Sequence, residues 1–282
     1  MSLPVSIIIL TYNEEDSIGE CIQAARGIST DIHVLDSDST DSTLDVVREL
    51  GVPIYQNRFT GFGDQRNWAI DHIPTRFPWH LHLDADERPT PEFIAELKRT
   101  LQSETAHAGF RIPNRLMLGD RWLKHSSGYP VYQVRLFHRD RLRFENAGHG
   151  QKEVTSGSLG YFQSAYLHYG LSKGLQAWFE KHCRYAHQEA KRAAEVRLSI
   201  FDELRGLTRD SVTRRRAMKR LSYRVPCRAW FRWCEILFLR RGILDGKAGI
   251  IYANMIYAYE SMASVYLMAH QAGIETFKAA SK

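Results

Sequence analysis

At 282 residues the chain is long enough to build one large core or two small ones without disulfide or metal staples. Hydrophobic residues make up 44% and charged residues 25%, which excludes disordered, collagenous and disulfide-scaffold classes. The net charge of +6 is uneven: between Arg209 and Arg241 eleven Lys or Arg stand against Asp210 and Glu235, a local +9 that leaves −3 elsewhere. The basic and acidic parts therefore meet different partners.

Cys21, Cys183, Cys227 and Cys234 form no Cys-x-x-Cys pair and no zinc spacing, and read as reduced thiols in a cytoplasmic protein. Met1-Ser2-Leu3-Pro4 has neither a basic flank nor a cleavage site, so no signal peptide is expected. Residues 5–10 are apolar and rich in β-branched side chains, as in a strand buried on both faces. Thr11-Tyr12-Asn13-Glu14-Glu15 follows at its carboxyl end. Ile18, Ile22 and Ala25 at helical spacing predict a helix over 15–26, stopped at Gly27.

A second strand over 32–35 ends at Asp36-Ser37-Asp38-Ser39-Thr40-Asp41-Ser42-Thr43. This run is dense in capping residues and precedes a helix with Leu44, Val46, Val47 and Leu50 on its apolar face and Gly51 at its end. Residues 52–55 give a third strand. Gly61-Phe62-Gly63 reads as a flexible loop, and Gln65-Arg66-Asn67-Trp68 opens a helix with Arg66 in its first turn.

The stretch Trp79-His80-Leu81-His82-Leu83-Asp84-Ala85-Asp86-Glu87 organises the rest. Its first half alternates as a strand, and Asp84 and Asp86, two residues apart at the strand end, emerge on one side of an extended backbone. Such a pair suits a hard cation, although an isolated Asp-x-Asp is commonly just a solvated loop. Thr90-Pro91-Glu92 caps the next helix, with Pro at its first position. Four β-runs alternating with helices over roughly the first 100 residues predict a parallel, doubly wound sheet whose βα loops share one edge. Acids from three strand ends then converge where open α/β sheets bind ligands.

Over 109–169 the texture changes to short β-like pieces at 110–113, 115–118, 131–138 and 160–168, the pattern of a mixed-sheet extension. The segment 144–153 interrupts it with Glu145, Asn146, His149, Gln151, Lys152 and Glu153, groups used in acid/base work or simply a hydrated hairpin. Beyond Ser172 the chain turns helical. Trp178, Phe179, Cys183, Tyr185 and Ala186 mark one helix, with charged spacings continuing to about Gly206. A helix from Pro226 puts Trp230, Trp233, Cys234 and Leu237 on one face, bordered by Arg224, Arg228 and Arg232. An aromatic face beside an arginine stripe suits an anionic membrane surface, or a core-facing helix with a solvated basic edge. The run 249–269 is broken by Asn254, Glu260 and several tyrosines, and reads as a buried or surface-docked helix rather than a membrane span. No Walker loop, dinucleotide fingerprint or nucleophile elbow is present.

Four motifs in order, Ser6-Ile7-Ile8-Ile9-Leu10-Thr11-Tyr12-Asn13-Glu14, Leu35-Asp36 with Ser39-Thr40-Asp41-Ser42-Thr43, Gln65-Arg66-Asn67 and Leu83-Asp84-Ala85-Asp86-Glu87, resemble a family 2 glycosyltransferase. Arg135-Leu136-Phe137, the His149 loop, Lys181 with Tyr185, and Leu244-Asp245-Gly246 with Gly249 look like a bacterial subgroup that adds glucose or a related sugar to lipopolysaccharide core and other surface glycans. The resemblance implies an α/β chain of GT-A fold: a Rossmann-like, mostly parallel sheet with helices on both faces, followed by a helical C-terminal extension. The nucleotide-sugar half is expected at 1–105, the acceptor half with its mixed sheet at 106–170, and a basic helical region contacting membrane or a second subunit at 171–282.

For the site, the resemblance implies that Thr11, Tyr12 and Asn13 hold nucleobase and ribose, that Glu14 and Asp36 accept base or sugar hydrogen bonds, and that Arg66 donates to the base edge or the diphosphate. Asp86 would ligate Mg²⁺ or Mn²⁺ on the diphosphate, and Asp84 would bind the ribose or the metal. A general base must take the proton of the acceptor hydroxyl. The subgroup often has His-Glu where this chain has His149-Gly150, so Glu153, Glu145 and His149 are the candidates, Glu153 foremost. Ser37 stands where relatives carry another acid, and Asp38 is expected to supply that carboxylate.

The expected reaction is inverting transfer of a hexose from a nucleotide-diphosphate sugar, UDP-linked by preference, to a glycan or glycolipid hydroxyl at the cytoplasmic face of the membrane. A nucleotidyltransferase would carry a Gly-rich, Arg/Lys-bearing loop where Thr11-Tyr12-Asn13-Glu14 stands. A nucleic-acid binder would use 209–241, but acids at the sheet edge oppose phosphate, so no nucleic-acid partner is expected. The aromatic tail is compatible with a homo-oligomer.

Overall fold

The computed structural model describes residues 2–147, 150–195, 217, 221, 225 and 227–274. Internal packing divides the chain into two units, one of residues 1–124 with 128–173, the other of 125–127 with 174–282.

The first unit contains β1 (Ser6–Thr11), α1 (Ile18–Arg26), β2 (Ile32–Asp36), α2 (Thr43–Glu49), β3 (Ile54–Gln56), α3 (Phe62–His72), β4 (Trp79–Asp84), β5 (Glu87–Pro89) and α4 (Pro91–Gln102). It continues with β6 (Gly109–Leu118), β7 (Arg121–Trp122), β8 (Val131–His138), β9 (Arg143–Ala147), β10 (Gly150–Val154), β11 (Leu159–Tyr161) and β12 (Tyr166–His168). Ten strands form one sheet in the order β3-β2-β1-β4-β8-β6-β12-β5, with β7 and β11 attached to β6. The β3-β2-β1-β4 half is parallel, β8 joins antiparallel to both β4 and β6, and strands from either side of residue 105 share the sheet. This is the α/β architecture that the GT-A resemblance implied.

Every residue of β1 is buried. Ile7 and Ile9 pack with Ile18, Ile22, Phe93 and Leu97 from α1 and α4, while Ile8 and Leu10 pack with Ala69 of α3 and Ile73 just beyond its end. Helices on both faces explain why the strand reads as an unbroken apolar run rather than an alternating one.

Several boundaries differ from the sequence reading. Gly61-Phe62-Gly63 is not a loop throughout: α3 begins at Phe62. A Cβ on Gly63 would stand 2.6 Å from the carbonyl carbon of Glu145, so the glycine lets β9 lie against the first turn of α3. The pieces at 110–113 and 115–118 are one strand, β6, with Pro113 opposite Tyr132. The piece over 160–168 divides into β11 and β12, and 144–147 and 150–153 belong to the antiparallel β9-β10 pair.

The second unit contains α5 (Gly174–Glu195), α6 (Arg228–Cys234), a π-helical turn (Glu235–Leu239), a 3₁₀ turn (Gly242–Asp245) and α7 (Lys247–Gln271). Gly249, Ala253, Glu260, Ala263 and Leu267 form the buried stripe of α7, and Ile236, Leu237 and Ala253 make a small core with Trp233, Tyr252 and Ile256. The expected arginine stripe does not form one free edge. Arg224 and Pro226 lie outside the described residues, Arg228 is turned inward to Glu260 and Glu189, and Arg232 pairs with Glu235. Trp233 packs beside Leu237 as expected, but Trp230 does not share that face. Past Cys234 the backbone widens into the π turn, so Leu237 is buried while Trp230 is exposed. Among the described residues no helix is long and apolar enough to cross a membrane.

Candidate active site

The loops after β1 and β2 are knitted together at the carboxyl edge of the sheet. Asn13, at a left-handed φ of 51°, donates its N–H to Ser39 Oγ (2.8 Å) and accepts the Thr40 N–H at Oδ1 (2.7 Å). Glu14 N–H donates to Thr43 Oγ1 at 2.7 Å. The Ser/Thr/Asp run thus clamps the neighbouring loop as much as it starts a helix. Asp36 is fully buried and accepts from the Ser39 N–H (2.9 Å) and hydroxyl, whereas Asp38 is exposed at a φ of 63°. Thr11 is buried and Tyr12 is 51% exposed. Lys173 Nζ lies 3.0 Å from Glu14 and 5.6 Å from the centre of the Tyr12 ring. Burial raises the Glu14 carboxyl while Lys173 opposes the shift.

Three consecutive residues of α3 dock three different elements. Gln65 donates to Ser37 Oγ (3.1 Å) after β2 and accepts from Asn57 (2.7 Å). Arg66, buried, reaches Asp84 through Nη2 (2.9 Å) and Gln151 through Nε (2.6 Å). Asn67 exchanges two hydrogen bonds with the Phe144 backbone, at 2.8 and 3.0 Å. The β9-β10 pair is thereby held over the site.

Asp84 lies between two guanidinium groups, since Arg135 Nη2 stands 2.5 Å from its other oxygen. Burial alone would raise its pKa; Arg135 and Arg66 outweigh that and hold the carboxyl at about 2. Glu87 is buried beside it, bonded to Arg135 and to the Asp84 N–H (3.0 Å). Burial pushes Glu87 up to about 7 against the pull of Arg135. Asp86 stands apart from this lattice and faces His168, whose Nε2 is 3.3 Å from Oδ2. Burial would lower the imidazole, but Asp86 raises it to about 9.

The cross-strand register sets which candidate bases share a face of the β9-β10 pair. Phe144 lies opposite Glu153 and Asn146 opposite Gln151, and this is the face turned to α3, with Asn146 bonded to the Gly63 N–H (2.9 Å). Glu153 pairs with Arg111 at 3.6 Å. Glu145 lies opposite Lys152 on the other face, and both are exposed. His149 lies outside the described residues.

Sequence reasoning assigned no role to His168, Gln151, Lys173, Glu87 or Arg135. Arg135 did carry a signal, since an arginine between Val134 and Leu136-Phe137 in a buried strand demands an acidic partner. His168 carried none, because its place comes from the pairing of β12 with β5. Among the buried groups at this edge, Thr11 Oγ1, Arg66 Nη1 and Arg135 Nε have no hydrogen-bond partner among the described residues.

Fold and edge together define an α/β chain whose polar side chains converge at the carboxyl end of a parallel half-sheet, where open α/β sheets bind ligands. Residues 6–166 match Glycosyl transferase family 2, and the chain belongs to that family. Over 158 residues it is 29% identical to the lipopolysaccharide core biosynthesis glycosyltransferase LpsC of Rhizobium meliloti (strain 1021), covering 54% of each chain. Over 144 residues it is 30% identical to the uncharacterized glycosyltransferase RT0209 of Rickettsia typhi (strain ATCC VR-144 / Wilmington), covering 50% of this chain and 49% of that one. The chain spans about half the length of these curated relatives. It is also similar to the crystal structure of glucosyl-3-phosphoglycerate synthase from Mycobacterium tuberculosis in complex with Mn²⁺, uridine-diphosphate-glucose and phosphoglyceric acid, at 20% identity and a TM-score of 0.35 over 40% of this chain and 44% of that one.

Proposed function

We propose that the chain is an inverting hexosyltransferase that moves a sugar from a nucleoside diphosphate, UDP by preference, to a hydroxyl of a lipopolysaccharide-core or related surface-glycan acceptor. The observation that carries this reading is the pairing of Asp86 with His168 beside an Asp84 whose charge is already taken by Arg66 and Arg135. Family membership supports the reaction, and the similarity to the lipopolysaccharide core biosynthesis glycosyltransferase LpsC supports the acceptor class.

Asp86 offers an oxygen donor and His168 a nitrogen donor once the cation displaces its proton, both are partly open to solvent, and no cluster of three or more His, Cys, Asp or Glu suited to a metal occurs among the described residues. A site with two protein donors fits Mg²⁺ or Mn²⁺, which complete their shells with substrate phosphates and water. Bound there, the cation would neutralise charge developing on the departing diphosphate. Asp84 acts by positioning the two arginines, and Arg66, buried, braces Asp84 and Gln151 at the donor edge. The exposed Tyr12 ring and Lys173 flank the nucleobase. Glu153 takes the acceptor proton as the acceptor oxygen bonds to the anomeric carbon and the nucleoside diphosphate leaves with the electron pair of the broken bond.

Calorimetry with a panel of nucleotide sugars, with and without Mn²⁺, tests the donor site on wild type and Asp86→Ala. Metal-dependent binding of one UDP-sugar, lost in the variant, is expected. A folded wild type that binds no nucleotide sugar overturns the reading.

A further inference from the structure

Between α6 and α7 the chain makes a turn that no step of sugar transfer uses. Phe238 and Leu239, at the end of the π turn, are 58% and 82% exposed, and Ile243 and Leu244, on the 3₁₀ turn, are 53% and 63% exposed. Ile250 and Ile251 in the first turn of α7 are exposed as well. Large apolar side chains crowded into so short a segment and turned to water mark a contact surface rather than an ordinary exterior.

The turn is held from within. Asp245 accepts the N–H of His125 (3.0 Å), the N–H of Ser126 (2.8 Å) and the Ser126 hydroxyl (2.6 Å). Gly249 lies so close to Gly242 that an added Cβ would stand 2.1 Å from the Gly242 carbonyl oxygen. Gly242 and Asp245 point inward while Ile243 and Leu244 between them point out. The apolar tips are therefore presented by a braced backbone.

Its charges have one sign. Between Phe238 and Ile251 the sole acid is Asp245, which is buried on backbone N–H groups, whereas Arg241 and Lys247 are exposed. Arg240 shares Glu235 with Arg232, which leaves that trio positive too. A second copy seated on the same patch would set these cations against their own equivalents. An anionic surface meets no such repulsion.

We propose that this turn docks the chain on an anionic lipid bilayer, with Phe238, Leu239, Ile243 and Leu244 entering the headgroup boundary and Arg241 and Lys247 meeting lipid phosphates. The contact is interfacial, and it does not depend on the donor chemistry. The basic stripe read from α6 takes no part, since Arg228 and Arg232 are engaged within their own unit.

The test floats the purified full chain, L239E/L244E and R241E/K247E with vesicles of phosphatidylcholine alone or mixed with phosphatidylglycerol, at low and high salt. Light scattering and thermal melting run in parallel. Wild type is expected to float with the phosphatidylglycerol vesicles, less at high salt, and binding should fall at least about tenfold in L239E/L244E without a change in melting. R241E/K247E should lose the preference for phosphatidylglycerol, and it decides the matter if L239E/L244E melts early. Equal flotation of wild type and both variants, or none by wild type, overturns the proposal. So does a dimer that L239E/L244E breaks without any vesicle binding, which would give the patch to a second copy.

Discussion

His168 Nε2 stands 3.3 Å from Asp86 Oδ2 because β12 runs antiparallel to β5, with His168 opposite Glu87 and the Tyr169 N–H donating to the Asp86 carbonyl (2.9 Å). The pair is built by strand register, so each partner can be removed without disturbing the Arg66-Asp84-Arg135 lattice. Asp86→Asn and His168→Ala are each expected to weaken Mn²⁺ binding at least about tenfold, with loss of metal-dependent turnover. Metal titration followed by calorimetry checks both. A His168→Ala protein with wild-type metal affinity would remove His168 from the metal site.

Arg66 is the second point of vulnerability. Burial and the Arg135 charge bring its guanidinium down to about 10, yet its fork spans Asp84 and Gln151. Arg66→Gln leaves Asp84 with one cation in place of two and is expected to cost about 3–5 kcal/mol in urea denaturation. Arg66→Lys should recover little, because one ammonium cannot span both acceptors. Near-wild-type stability of the lysine variant would mean that charge alone suffices there.

Most of the parallel half-sheet was legible because its apolar runs and turn residues follow simple periods: β1, β2 and β4 fall within a residue or so of the sequence reading, while β3 lies two residues later. The convergence of Asp36, Arg66 and Asp84 on one edge follows from right-handed βα units. What was not legible depended on contacts distant in sequence. Glycine at 61 and 63 argues for a loop by propensity, but the Asn146 side chain packs where a Cβ on Gly61 would be, and the backbone of Glu145 and Asn146 where one on Gly63 would be. His168 lies on a three-residue strand, too short for any pattern. The helical period drawn through Trp230 and Leu237 failed because the backbone changes to a π turn between them.

Asn13 shows what that loop clamp contributes. Its φ of 51° disfavours alanine, and its side chain accepts the Thr40 N–H and donates to Thr40 Oγ1. Asn13→Ala is expected to cost about 1–2 kcal/mol, from left-handed strain and exposed hydrogen bonds together. Asn13→Gly removes the strain and should lose only the hydrogen-bond share. Hydrogen exchange at the Thr40 amide checks the mechanism, since both variants should speed it. An unchanged rate would place the clamp elsewhere in the Ser39–Thr43 run.

His80 gives the fold a predictable acid limit. Burial, aided by the Arg139 charge, pushes its imidazole down to about 3, and Nε2 is 2.9 Å from Thr75 Oγ1. His82, two residues on and fully buried, is lowered by burial and by Arg66. The unfolded histidine titrates near 6.5, above the folded value, so between these limits the unfolded chain binds the extra proton. Stability from neutral His80 is therefore complete above about pH 6.5 and falls by roughly 1.4 kcal/mol per pH unit as acid is added toward about pH 3. His80→Gln can keep a hydrogen bond to Thr75 but cannot titrate. It should be less stable than wild type at neutral pH yet lose stability more slowly on acidification, by about one proton's worth of slope. Urea denaturation of both proteins between neutral pH and about pH 5 decides the point, and parallel slopes would mean that His80 takes up its proton inside the folded chain.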